Sequence, residues 1–353
     1  MATNNTALLR SLISLATTPG SSSPSDDVIH SPEMDPLCYH VQGGLDTTNV
    51  FLYLQLPLSI FGIIANVTSL LTLNISHSSP TCLLLKTLML VDICVLVFYL
   101  PGRYYKIDPN TEVSAYVAIV TFPLLFGALS FKYWLSVSLA IMTFVNMCRP
   151  LKSPDWNTYK KVYLFIALSL VSTAVFNCVG FTQMEHLEQH QHNTNTTFYT
   201  VSATHPFYAY DGILHILTLY PATIIILLIF TGPVLGELRN ARHYNNGNGN
   251  NPTLQTATVV YLLIFTLTHA ILSITKILQL IFHALGSCDN VVQTADFCGW
   301  LVIFQCGSNL AVFASCSEAF RNKLTICYRK QRERRLNEVM KWTNEEEEEL
   351  VQI

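Results

Sequence analysis

Three charged side chains, Asp92, Lys132 and Lys276, sit deep within long apolar stretches of this chain, and His269 adds a polar group in the same surroundings. A lone charge in hydrocarbon is costly, so such residues face a partner, a water-filled cavity or a ligand, and they mark functional sites by default. Asp92 and Lys132 are suited to an ion pair or a proton relay. Lys276 is suited to receive a carboxylate or a polarised carbonyl, because charge-assisted hydrogen bonds are the strong ones. The bland alternative for either lysine is a stem in lipid with its ammonium reaching water. His269 reads as a hydrogen-bonded core residue rather than a metal ligand. His186, His190 and His192 include pairs at metal-ligand spacing. Their Glu-, His- and Gln-rich run, Glu185–His192, reads better as a solvated connector, so no metal and no cofactor is assigned. No nucleophile or metal-ligand set lies at one depth, which argues against an enzyme.

The elements that must position these groups are seven apolar stretches: Val50–Leu73, Cys82–Leu100, Val113–Cys148, Val162–Gln183, Gly212–Gly236, Leu254–Leu285 and Phe297–Ser317. A bilayer core about 30 Å thick needs about 20 apolar residues in a helix. Each stretch meets that length. Composition agrees: 50% of residues are hydrophobic and 12% charged, against about 25% charged in a soluble domain. Unpaired backbone groups in hydrocarbon cost several kcal/mol, so the spans are helices or a closed barrel; these runs are too long and too uniformly apolar for barrel strands. The expected class is all-α, a seven-transmembrane helix bundle over residues 50–317. Residues 1–49 read as a disordered extracellular segment and 318–353 as a charged cytoplasmic tail.

Basic residues give the orientation. Arg149, Lys152, Lys160 and Lys161 follow the third span, Arg239 and Arg242 the fifth, and the tail is rich in Arg and Lys; the opposite side has only Arg10, Arg103 and Lys106. A Lys/Arg excess marks the cytoplasmic face, so the N-terminus is expected outside a plasma membrane. Arg10 interrupts the short apolar run Leu8–Ala16, which does not fit a cleaved signal peptide. Asn4 and Asn195 head glycosylation sequons on the outer side. Cys38, Cys288 and Cys298 lie on that oxidising side and are disulfide candidates, either Cys288 with Cys298 or Cys38 with one of them. Cys327 is a juxtamembrane candidate for palmitoylation. Acidic residues dominate the outer segments, among them Asp26, Asp108, Glu185 and Asp296. Such a field draws cationic ligands. No nucleic-acid partner is expected.

Several positions resemble the rhodopsin-like (class A) G-protein-coupled receptors. Gly62 and Asn66 match the first-helix signature, Leu88 and Asp92 the second, and Pro221 the fifth-helix proline. Cys148-Arg149-Pro150-Leu151 is similar to the Cys-x-Pro-Leu that follows Asp-Arg-Tyr, and Asn309–Phe313 to Asn-Pro-x-x-Tyr, with Phe320 and Arg321 opening a short amphipathic eighth helix. The chain departs from the family as well. Met142, Thr143 and Phe144 stand in place of Asp-Arg-Tyr, His269 and Ile271 in place of the sixth-helix Trp and Pro, Leu310 in place of the seventh-helix proline, and Ala118 near the expected third-helix cysteine. The pattern is that of a divergent, invertebrate-type member.

The resemblance implies a role for each position. Lys132 falls where the family's sodium site has a serine, so its ammonium should neutralise Asp92, with Asn66, His269, Gln305 and Asn309 completing the intramembrane polar core. Tyr99, Leu125, Phe126, Leu129, Lys276 and Trp300 would line a ligand cavity; Leu125 replaces the aspartate of amine receptors, which argues against biogenic amines. Thr143, Leu151, Arg239 and Arg242 would face a heterotrimeric G protein. The leading expectation is a receptor for an extracellular peptide. A transporter or channel using Asp92 and Lys132 as a relay, or a membrane partner protein without signalling of its own, is the alternative.

Overall fold

The architecture follows from the apolar stretches. The computed structural model describes residues 45–76, 79–107, 112–182, 184–191, 196–203, 207–245, 254–285 and 287–318, and parts of 320–329. These residues fall within the unit Val41–Ile353. Among them are helices α1 (Leu45–Ser76), α2 (Pro80–Ile107), α3 (Glu112–Cys148), α4 (Tyr159–Thr182), α5 (Phe207–Asn245), α6 (Leu254–Ala284), α7 (Cys288–Gly307) and α8 (Asn309–Cys316). Five are long and apolar enough to cross a membrane: α1, α2, α3, α5 and α6, and a sixth is added if α7 and α8 count as one span bent by 41°. The fourth expected span lies in α4, which is not one of these five. Prolines inside α1, α2, α3 and α5 are tolerated in such helices because neighbours re-satisfy the freed carbonyls.

The helices close into a ring: α1 lies against α2, α2 against α3, α3 against α5, α5 against α6, α6 against α7, and α7 returns to α1. Helix α3 also contacts α4 and α6. The inward faces of the ring are buried and carry the core, including Leu84, Leu88, Val95, Leu129, Leu139 and Phe265. The outward faces expose Ile64, Leu90, Val97, Leu168, Ile229 and Leu267. An apolar belt of this extent is not left facing water; it contacts lipid, and the chain is a multi-pass membrane protein.

Between α4 and α5 runs an antiparallel hairpin, β1 (Met184–Gln191) and β2 (Thr196–Ala203), pairing Met184 with Ala203 and Gln191 with Thr196. Residues Glu185–Gln191 of the expected connector therefore form part of a paired strand, and His192 lies outside the described residues. The β-branched and aromatic residues Thr196, Thr197, Phe198, Tyr199, Thr200 and Val201 favour a pleated partner. Beyond α8 the helical direction changes at Ser317, whose Oγ accepts from the Phe320 N–H at 3.2 Å. Residues 320–322 and 324–326 are helical, and Phe320 is buried against Phe313 at 5.9 Å between centroids.

Candidate functional site

Asp92 on α2 and Lys132 on α3 are fully buried, with Lys132 Nζ 2.7 Å from Asp92 Oδ1. The other carboxylate oxygen, Oδ2, accepts from Asn309 Nδ2 at 2.6 Å. Asn309 Nδ2 donates as well to Asn66 Oδ1 at 2.7 Å, and Asn66 Nδ2 donates to the carbonyls of Cys306 at 2.7 Å and Gly62 at 2.9 Å. Lys132 Nζ donates to Cys306 Sγ at 3.1 Å and stands 5.6 Å from the centre of the Phe265 ring. Residues of α1, α2, α3, α7 and α8 thus meet in one polar hub, capped by α6 through Phe265. A buried ion pair is tolerable only when its remaining hydrogen-bonding capacity is met. Here an amide, a thiol and an aromatic face meet it.

The hub needs close helix approach. A Cβ on Gly62 would come within 2.8 Å of Leu96 Cδ1 and 3.5 Å of Gly307 Cα. The tight contact is with the end of the Leu96 side chain on α2; toward α7, at the turn where α7 breaks into α8, the added carbon would make ordinary van der Waals contact with Gly307. Gln305 does not join the pair. Its Nε2 reaches the Phe265 carbonyl at 3.4 Å and Thr268 Oγ1 at 3.3 Å. It is one residue before Cys306, about 100° round the helix, and so faces α6. Cys306 is the member that sequence reasoning missed; its only signal is its position one turn before Asn309.

Above the hub lies an aromatic layer. His269 is fully buried and shares a 2.6 Å hydrogen bond between its Nε2 and Thr223 Oγ1, as a core histidine should. Its ring centre lies 4.3 Å from that of Tyr133, 5.5 Å from Tyr220 and 5.8 Å from Phe265. Phe265 touches the Lys132 ammonium on one side and the His269 ring on the other. Tyr220 borders the cavity beyond.

That cavity has a volume of about 150 Å³. Tyr99 of α2, Phe122, Leu125, Phe126 and Leu129 of α3, and Tyr220 of α5 form one part of its wall. Leu272 and Lys276 of α6 and Ala295, Cys298, Gly299 and Val302 of α7 form the rest. Five of the six expected lining residues are here. Trp300 is not: the face of α7 that lines the cavity repeats at 295, 298, 299 and 302, and Trp300 falls off that stripe. Lys276, half-buried, donates to Gln279 Oε1 at 3.0 Å.

Cys298 is a free, buried thiol on the cavity wall. Bridging to Cys288 is ruled out by the helix itself. Both residues lie on α7 ten positions apart, about 15 Å along the axis, whereas a disulfide needs Cα atoms within about 7 Å. Asp296, assigned to the acidic mouth, is buried. On the opposite side of the bundle Thr143 is buried, its hydroxyl donating to the Leu139 carbonyl at 2.8 Å, so it presents no polar group to a partner. Leu151 is 95% exposed and Arg239 exposed. Asn4, Cys38, Asn195 and Cys327 lie outside the described residues, as do the side chains of Arg242 and Cys288. Among the described residues no group of histidine, cysteine and acidic side chains could hold a metal. No protein-family model matches the sequence, and no curated protein matches it.

Proposed function

We propose that this multi-pass membrane protein is a seven-span receptor of the rhodopsin-like kind, with its N-terminus outside the plasma membrane. It carries an extracellular signal, a peptide ligand in the leading case, to a heterotrimeric G protein. In this reading α4 serves as the fourth span beside α1, α2, α3, α5 and α6, and the broken pair α7 and α8 is the seventh. One observation supports the reading: a cavity walled by α2, α3, α5, α6 and α7 lies beside an aromatic layer that rests on the buried Asp92–Lys132 hub. A ligand that fits the cavity better in one arrangement of these helices shifts the population toward it. The exposed Leu151 and Arg239 then belong to the face that meets the G protein.

The buried ion pair also suits a proton or ion transporter. The shell of Asn309, Cys306 and Phe265 around it favours a structural hub over a relay. A second-messenger assay in cells expressing the chain, run against a peptide library, tests the receptor reading. A response lost in Lys276→Ala at normal surface expression supports it. Ligand-independent proton or cation flux in liposomes, lost in Lys132→Met, would replace it with transport. Epitope tags on the two termini should be reached from opposite sides of intact cells; same-side access removes the odd number of spans.

A further inference from the structure

We infer that the cavity between α3, α6 and α7 binds a carboxylate joined to one compact apolar group, with the carboxylate on Lys276. The inference deepens the receptor reading and takes its biological sense from it, but binding itself needs no signalling partner.

Size comes first. A cavity of about 150 Å³ lined by Leu, Ile and Phe holds one benzene ring, and this cavity has that volume, with Phe122, Leu125, Leu129, Leu272 and Val302 in its wall. A ring or a branched aliphatic group with a short linker fits, and a folded peptide does not. Polarity comes next. The Tyr99 hydroxyl is engaged, donating to Gln55 Oε1 at 2.9 Å. Among the described residues of the wall, Lys276 is the one that carries a charge. The residue is half-buried, and among the described residues its ammonium meets the neutral Gln279 oxygen at 3.0 Å and no carboxylate within ion-pair distance. An ammonium partly withdrawn from water beside a neutral amide gains from an incoming anion, since a hydrogen bond with an ionised partner is about twice as strong as a neutral one.

Charge then selects among anions. One lysine balances one negative charge, so a carboxylate suits it and a phosphate dianion stays half-compensated. A cationic ligand would face Lys276 with Leu125 as its neighbour and no counterion in the wall. Two sources supply the same chemistry: a free apolar acid, or the C-terminal residue of a peptide whose α-carboxylate is not amidated. The second also agrees with the acidic outer segments, which attract a basic peptide body and place only its last residue in the cavity.

The test uses purified full-length protein in detergent, with its thermal aggregation midpoint followed against ligand concentration. The probes are 3-phenylpropionate and the uncharged 3-phenylpropanamide, which share a shape, and the tripeptide Ala-Gly-Phe with a free or an amidated C-terminus. The acid should half-saturate at a concentration about tenfold below its amide. Lys276→Gln should make the two equal, and Lys276→Arg should keep the preference. A free-acid tripeptide outcompeting the small acid assigns the carboxylate to a peptide terminus, and the reverse order assigns it to a free acid; either result upholds the class. Equal effects of acid and amide on the wild-type protein, a preference that survives Lys276→Gln, or no shift with any probe overturns the inference. Lys276-dependent binding without any cellular response would leave it standing and sink the receptor reading instead.

Discussion

Replacing Lys132 by methionine should be among the most damaging single changes available in this chain. Asp92 would be left fully buried with Asn309 Nδ2, at 2.6 Å, as its donor and no cation to balance it. Breaking a buried pair from one side costs roughly 3–5 kcal/mol. Asp92→Asn should cost a similar amount, because Lys132 would keep no counterion, only neutral partners: the new amide oxygen, Cys306 Sγ at 3.1 Å and the Phe265 ring at 5.6 Å. The two changes made together remove both charges, and the introduced amide oxygen can still accept from Asn309. Replacing a whole buried pair is often neutral or stabilising by about 1–4 kcal/mol, so the double variant should recover most of the loss. Reversible unfolding in mixed micelles, completed as a double-mutant cycle, measures this. Independent sites add within about 0.5 kcal/mol. A double variant as unstable as the sum of the two singles, to that tolerance, refutes the ion-pair account of the hub. A charge swap, Asp92→Lys with Lys132→Asp, should recover less, since Asn309 and Cys306 are placed for the native polarity.

Gly62→Ala should cost about 1 kcal/mol or less, because the new methyl meets the movable end of the Leu96 side chain at 2.8 Å, and the bulkier Gly62→Leu should cost more, about 1–3 kcal/mol through overpacking, in the same unfolding assay. His269→Phe removes the 2.6 Å hydrogen bond to Thr223 Oγ1, whose hydroxyl keeps the Leu219 and Tyr220 carbonyls as acceptors, and should cost about 0.5–1.5 kcal/mol in the same unfolding assay. Cys298 should take up N-ethylmaleimide in denaturant without prior reduction, with the adduct located on it by fragment-ion sequencing of the tryptic peptide Ile277–Arg321, which also holds Cys288, Cys306 and Cys316; protection of Cys298 there would show that it is bridged after all.

How far residue types alone reach is shown by contrasting neighbours. Asp92 and Lys132 are legible as partners because an unpaired charge in lipid is so costly that few arrangements remain. His269 is legible as a core group for the same reason in weaker form. Gln305 is not, because an amide finds acceptors on several faces, and only the turn of α7 decides that it serves Phe265 and Thr268 rather than Asp92. Trp300 and Cys298 differ by two positions, and which one meets the cavity depends on a rotation of α7 that apolar periodicity does not resolve in a helix surrounded by apolar partners. Cys288 and Cys298 look like a loop bridge until the helix is seen to begin at Cys288. The hairpin escapes a composition-based reading because Glu185–His192 is polar, and its strand character comes from its β-branched and aromatic partner across the turn.

Lipid adds a reason for the hub's composition. Apolar side chains gain little by leaving lipid tails for one another, so helix association in a bilayer rests on close contact, small residues and interhelical hydrogen bonds. The exposed belt of leucine, isoleucine and valine therefore says where the chain sits and does not say which helix meets which. Specificity has to come from groups that lipid cannot satisfy. Asn66, Asp92, Lys132, Cys306 and Asn309 are such groups, drawn from five helices and joined to one another within one small volume. Sliding α2 or α3 by one residue would carry its charge about 100° round the helix and leave it facing lipid or an apolar neighbour. The register of the bundle is thus held by its costliest residues, while Gly62 and Gly307 supply the close approach that lets their short side chains meet.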